Sequence, residues 1–221
     1  MSTLDVLLPR VADPARPLLT YDDRGTGERV ELSATTTANW VAKTANLLVD
    51  ELDLEAGGRV RVGLPSHGLR FVWVLSTWAA GGAVVARDAD VGVSGPDLVG
   101  DEEHRLAASL RPLGGRFATP PDGFVDLATV VPGQSDHFVA LDPPAPDSLA
   151  LDLDAPLTHA QLLAATSPDD RRLVVEPGSL ERDVRLLVAA LRGGGSLVVV
   201  AGADAETLTR VAAQERGHLL D

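Results

Sequence analysis

The sequence predicts an α/β fold with mainly parallel sheets flanked by helices. Short apolar runs at 60–64, 83–86, 172–175 and 196–200 read as buried strands. Helical patterns lie between them, at 69–80 and 180–191, and glycines mark the joints at Gly81-Gly82 and Gly193-Gly194-Gly195. Strand, helix, strand in that order implies parallel pairing with right-handed crossovers. The 221 residues are 45% hydrophobic but only 4% aromatic, so the core must be built mainly from Leu, Val and Ala.

In chain order, residues 1–17 combine Val6-Leu7-Leu8 with Pro9, Pro14 and Pro17, which predicts a short helix and an extended lead-in. Residues 18–22 and 29–32 flank Arg24-Gly25-Thr26-Gly27 and read as a β-hairpin. Ser33 caps a helix to about Leu52, with Trp40, Val41, Thr44, Leu47 and Leu48 near one face. The strand at 60–64, the helix at 69–80 and the strand at 83–86 make one βαβ unit. Residues 88–100 look turn-rich. Asp101, Glu102 and Glu103 suit a helix N-terminus, so a helix is expected to about Leu110. Strands are expected at 116–118 and 124–127. The prolines at 132, 143, 144 and 146 make 132–147 the expected connection between an N-terminal subdomain (1–131) and a second one (148–221). The second segment reads as βαβα, with Ser179 and Asp204 as helix caps.

Charge and composition narrow the chemistry. The formal net charge is −13, which disfavours nucleic acid and anionic membrane surfaces as partners. Cysteine is absent, which excludes thiolate chemistry and disulfides. Lys43 is the single lysine. No apolar run nears the roughly 20 residues of a membrane span, and Met1–Arg10 has no basic, apolar leader, so a cytoplasmic protein is expected. His67, His104, His137, His159 and His218 show no metal-ligand spacing. Asp136, Asp142, Asp147, Asp152 and Asp154 are irregularly spaced and read as a solvated acidic edge.

The stretch 147–165 is the most informative. Leu149, Leu151 and Leu153 alternate with Ala150, Asp152 and Asp154, the period of a strand. After Ala155-Pro156, Thr158 is placed to cap a helix carrying Leu162 and Leu163. Strand, very short turn and helix follow one another, with neither glycine nor hydroxyl in the turn.

Several phrases resemble the adenylate-forming superfamily of AMP-binding acyl-CoA synthetases, peptide-synthetase adenylation domains and luciferases. They are Leu32-Ser33 opening a helix, Ala45-Asn46-Leu47-Leu48, Leu54-Glu55-Ala56-Gly57-Gly58-Arg59-Val60, Gly63-Leu64-Pro65-Ser66, and Trp78-Ala79-Ala80-Gly81-Gly82-Ala83-Val84-Val85. Leu157-Thr158-His159-Ala160-Gln161-Leu162-Leu163 is similar to the segment after that family's phosphate loop. Leu191-Arg192-Gly193-Gly194-Gly195-Ser196-Leu197 is similar to a later core segment. The resemblance implies the family's N-terminal fold.

Departures from the family pattern shape the functional expectation. Where the family has a Thr/Ser/Gly-rich loop ending in Pro-Lys, the strand here meets Leu157-Thr158-His159 through Asp154-Ala155-Pro156 alone. No glycine occurs between Gly133 and Gly178, and no lysine after Lys43. Glu176-Pro177-Gly178-Ser179 stands where the family places an aromatic or His in its acyl pocket. The sequence also stops at Asp221, before the family's later nucleotide motifs and lid lysine. The expectation is a catalytically inactive, truncated homologue serving as a binding, scaffolding or regulatory module, with no cofactor, no metal and no catalytic residue. His159, Glu176 and Ser179 are the candidate pocket residues. Self-association or a protein partner is expected over surface left by truncation. The alternatives are a binder of a small acyl, CoA or nucleotide-like ligand without activation, or half of a split ligase.

Overall fold

A computed structural model describes residues 3–8, 11, 13–111 and 115–220. β1 (Pro17–Asp23) and β2 (Arg29–Ser33) form the expected antiparallel hairpin. Ser33 then caps α1 (Ala34–Asn46), its side chain accepting from Thr36 N–H, and the helix runs on through a π-helical turn at Leu47–Glu51. β3 (Arg59–Gly63), α2 (Gly68–Ala79) and β4 (Ala83–Val85) make the first βαβ unit, with β3 and β4 parallel. The next elements are β5 (Val91–Ser94), β6 (His104–Ala107), β7 (Val125–Asp126) and a short α3 (Leu127–Val130). β8 (Leu149–Asp152), β9 (Pro156–Thr158) and α4 (His159–Ala165) follow. β10 (Arg172–Val175), α5 (Leu180–Gly193), β11 (Ser196–Ala201), α6 (Ala205–Gln214) and β12 (His218–Leu219) complete the chain.

These strands form two sheets. One is β12-β10-β11-β1-β2 and the other β7-β6-β5-β3-β4-β8-β9; within each, every pairing is parallel except β1–β2 and β8–β9. α2 touches strands of both sheets and packs on α1 and α5, so it lies in the layer between them. The central strands are apolar on both faces, as parallel strands covered on both sides must be. On β11, Leu197 and Val199 join the main core, whereas Val198 and Val200 join Leu208, Val211 and Ala212 under α6.

Several expectations need correction. The segment expected as a helix over 101–110 holds β6 instead. Its acids mislead because Glu102 is buried and ion-paired with Arg61 of β3, not aligned on a helix dipole. Residues 88–100 contain β5, all four residues of which are buried. Gly92 belongs there because a Cβ would collide with the Glu102 carboxylate. Residues 116–118 form no strand; Phe117 N–H donates to Asp126 Oδ2 at 2.9 Å. Leu4–Leu7 form a turn, with Leu7 N–H donating to Leu4 O at 3.2 Å; Leu8 is in a 3-10 conformation, and the expected short helix beyond it falls on 9–10, outside the described residues.

Each sheet draws strands from both sides of 132–147. β1 and β2 pair into the sheet of β10–β12, while β8 and β9 pair into the sheet of β3–β7. The proline-rich stretch is itself tethered. Lys43 Nζ donates to the carbonyls of Pro132 and Gln134, and Asn46 Nδ2 to those of Ser135 and His137, at 2.9 and 3.1 Å. The single lysine is thus spent on loop attachment.

Candidate functional site

In open α/β sheets, sites form at the carboxyl ends of parallel strands. Among those ends are the corners 64–67 after β3, 153–155 after β8 and 176–179 after β10.

The β8 corner differs from its expected form. It is a hairpin rather than a direct strand-to-helix turn. β9 folds back on β8 with Leu151 opposite Leu157 and Asp152 opposite Pro156, leaving three residues in the turn. α4 follows at once. Its opening amides would be the natural cradle for a phosphate, but the chain satisfies them itself. His159 N–H donates to Ser148 O at 3.1 Å, Ala160 N–H to Pro146 O at 2.8 Å, and Gln161 N–H to Thr158 Oγ1 at 3.2 Å. The Gln161 side chain closes a capping box by accepting from Thr158 N–H at 2.9 Å. The surrounding charge is negative. Asp154 is exposed and faces Glu181 of α5, whose carboxyl is held below its ordinary range chiefly by Arg185. Asp152 makes only a long contact with Arg59, at 3.4 Å. Among the described residues no group of three or more His, Asp or Glu is placed to hold a metal ion.

The β3 and β10 corners are joined by a buried polar cluster. Arg70 Nη1 donates to Asp183 Oδ2 at 2.6 Å and to Gly178 O at 2.9 Å, while Arg70 Nε donates to Leu64 O at 2.6 Å. The Ser66 hydroxyl donates to Asp183 Oδ2 at 2.6 Å and accepts from Gly178 N–H at 2.9 Å. Burial pushes the Asp183 carboxyl up, against the pull of Ser66 and Arg70. The cluster clamps one sheet's corner to the other's.

The three sequence candidates do not converge. His159 is fully buried; its Nδ1 accepts from Leu4 N–H at 3.2 Å and its ring lies edge-on to Trp78 at 6.4 Å. Burial holds its pKa below the ordinary value, with Asp5 pulling the other way. Its polar partner is thus the N-terminal segment, not the β10 corner. Glu176 is exposed, and its carbonyl accepts from Arg182 Nη1 at 2.9 Å. Ser179 caps α5 by accepting from Arg182 N–H at 3.2 Å. Ser179 lines an open groove of about 490 Å³ between the end of α4 and α5, with Thr166, Arg182 and Arg185.

Sequence reasoning missed a second cavity. It measures about 350 Å³ and lies between β2, α1, the start of α2 and the segment around α3. Its walls are mainly apolar; Glu28 and His67 form one polar end, and Thr44, Ser109 and Arg111 also line it. The sequence showed His67 only as one of the histidines without metal-ligand spacing; its place in a cavity depends on the hairpin folding over it.

Comparison with known proteins agrees with this architecture. No family model matches the chain. A TIGR03089 family protein of Mycobacterium tuberculosis is 34% identical over 221 residues, covering 93% of this chain and 91% of that one. An acyl-CoA synthetase of Brucella canis superposes with a TM-score of 0.76 at 14% identity, over 99% of this chain and 47% of its own. The acetoacetyl-CoA synthetase of Streptomyces lividans gives 0.74 at 18% identity, over 97% and 41%. The chain therefore has the fold of the N-terminal part of adenylate-forming enzymes and spans less than half the length of these two synthetases.

Proposed function

The chain belongs to the TIGR03089 protein family, and we propose that it is a binding module built on half of an adenylate-forming fold, without the adenylating chemistry. One observation carries the reading: at the β8 corner, the opening amides of α4 are occupied by Ser148, Pro146 and Thr158, and the nearby side chains are acidic. Adenylation requires donors and cations aimed at the transferring phosphoryl oxygens. The corner supplies carboxylates and a proline, and Lys43 is engaged elsewhere.

Pyrophosphate exchange tests the reading. Purified chain with MgATP and a panel of carboxylic acids is expected to exchange no label above a protein-free blank. Exchange that rises with protein concentration contradicts it. Self-association or a protein partner belongs to the same proposal. Among the described residues the exposed large apolar side chains are Val99, Val125, Val139 and Leu141, and a contact through the Val139–Leu141 loop is the form it takes. Sedimentation of wild type against Leu141→Asp checks this: a mass above the monomer that falls in the variant supports it, and a wild-type monomer at micromolar concentration overturns it.

A further inference from the structure

The 350 Å³ cavity has the size of small-molecule sites and their usual make-up, apolar walls with few polar groups. Leu32, Trp40, Val72, Trp73, Leu127 and Val131 supply the walls.

Its polar end is unusual. The His67 side chain is nine-tenths buried, and its Nδ1 accepts from Leu69 N–H at 3.1 Å to cap α2. With Nδ1 acting as acceptor, the proton of the neutral ring sits on Nε2. That buried Nε2 has no hydrogen-bond partner among the described residues. Burial holds His67 near a pKa of about 4, which keeps it a neutral donor at pH 7, and raises Glu28 as well. Tyr21 packs on the ring with centroids 4.7 Å apart and fixes its plane. Glu28 Oε1 lies 3.9 Å from Nε2. That is too far for a direct hydrogen bond, yet one oxygen at about 2.8 Å can reach both atoms.

We propose that this cavity binds a small apolar molecule bearing a hydroxyl group, whose oxygen accepts from His67 Nε2–H while its proton is donated to the Glu28 carboxylate. A carboxylate placed between His67 and Glu28 would be repelled by Glu28; Arg111, which also lines the cavity, is not one of the two groups that bracket this position. An ether could accept but not donate, and an ammonium could donate but not accept. A hydroxyl does both. The inferred role, though not the site, rests on the reading of the chain as a binding module.

Calorimetric titration of the whole chain with 2-naphthol, 2-methoxynaphthalene, 2-naphthoate and 1-decanol tests the site. At least one of the two alcohols is expected to bind, and naphthol about tenfold more tightly than its methyl ether. Binding of naphthol alone assigns an aromatic body, of decanol alone an alkyl one, and either supports the site. His67→Asn keeps an oxygen that can cap α2 but lacks the Nε2 donor. It is expected to weaken alcohol binding about tenfold and leave ether binding unchanged. The site is overturned if naphthol and its ether bind equally, if His67→Asn leaves alcohol binding unaltered, or if neither alcohol binds. MgATP titrated into the same protein separates the two ideas. Its binding would overturn the functional reading and leave the cavity intact, whereas lost alcohol discrimination would do the reverse.

Discussion

The β8 corner and the paired β3 and β10 corners occupy equivalent places, at the carboxyl ends of parallel strands, although β8 reaches its helix only through β9. Their polar groups are used in opposite ways. At β3 and β10, Ser66, Arg70, Gly178 and Asp183 interlock in the buried layer between the sheets. At β8, Asp154 faces solvent while the backbone satisfies its own amides. Polar residues at strand ends therefore need not mark a ligand site. What matters is whether donors remain unspent: at β8 the α4 amides are consumed within the chain, and at the β3 and β10 corners only His67 Nε2–H is left over among the fully buried side-chain donors of the described residues.

Mutations can break this contrast. Asp183→Ala strands a buried guanidinium and is expected to cost about 3–5 kcal/mol in denaturant unfolding. If it costs no more than Asp154→Ala, the clamp has no structural role.

Acid sharpens the same division, because His67 sits at the β3 corner. Its folded pKa of about 4 lies below the ordinary 6.5, so the unfolded chain binds more protons between those values. Stability is full above pH 6.5 and falls as pH drops to 4, by about 3 kcal/mol from this group. Burial sets the sign; Glu28, with Tyr21 and Asp23 close by, is the carboxylate facing the ring. His159 shifts in the same direction and adds to the loss. Thermal melts across this range should therefore fall less steeply for His67→Asn, and identical slopes would refute the assignment.

At the β8 corner the effects shrink. Thr158→Ala removes one arm of the capping box and should cost about 1 kcal/mol in chemical unfolding. Asp154→Ala should stay within about 0.5 kcal/mol of wild type.

The legible parts of the fold were those set by local pattern. α1, α2, α5 and α6 follow from apolar spacing, with the caps Ser33, Ser179 and Asp204 readable as well, and Gly194 closes α5 in the left-handed conformation; the His67 cap of α2 was not legible. β5 and β6 were hidden because their logic is tertiary: Glu102 is acidic yet buried, tolerated only through Arg61 and the space at Gly92. β9 is three residues long and opens on Pro156, too short for a period to show. At the candidate site the shortened corner could be read directly from 152–158. The Arg70–Asp183 pair could not, since its partners are 113 residues apart. Nor could the cavity at His67, which exists only once Glu28 arrives from the hairpin.

The central claim is that the α4 N-terminus has no donors left for a triphosphate. Calorimetric titration of the wild-type chain with MgATP at millimolar concentration tests it most directly. The account predicts no saturable heat; a saturable isotherm that disappears on substitution within 152–158 would contradict it.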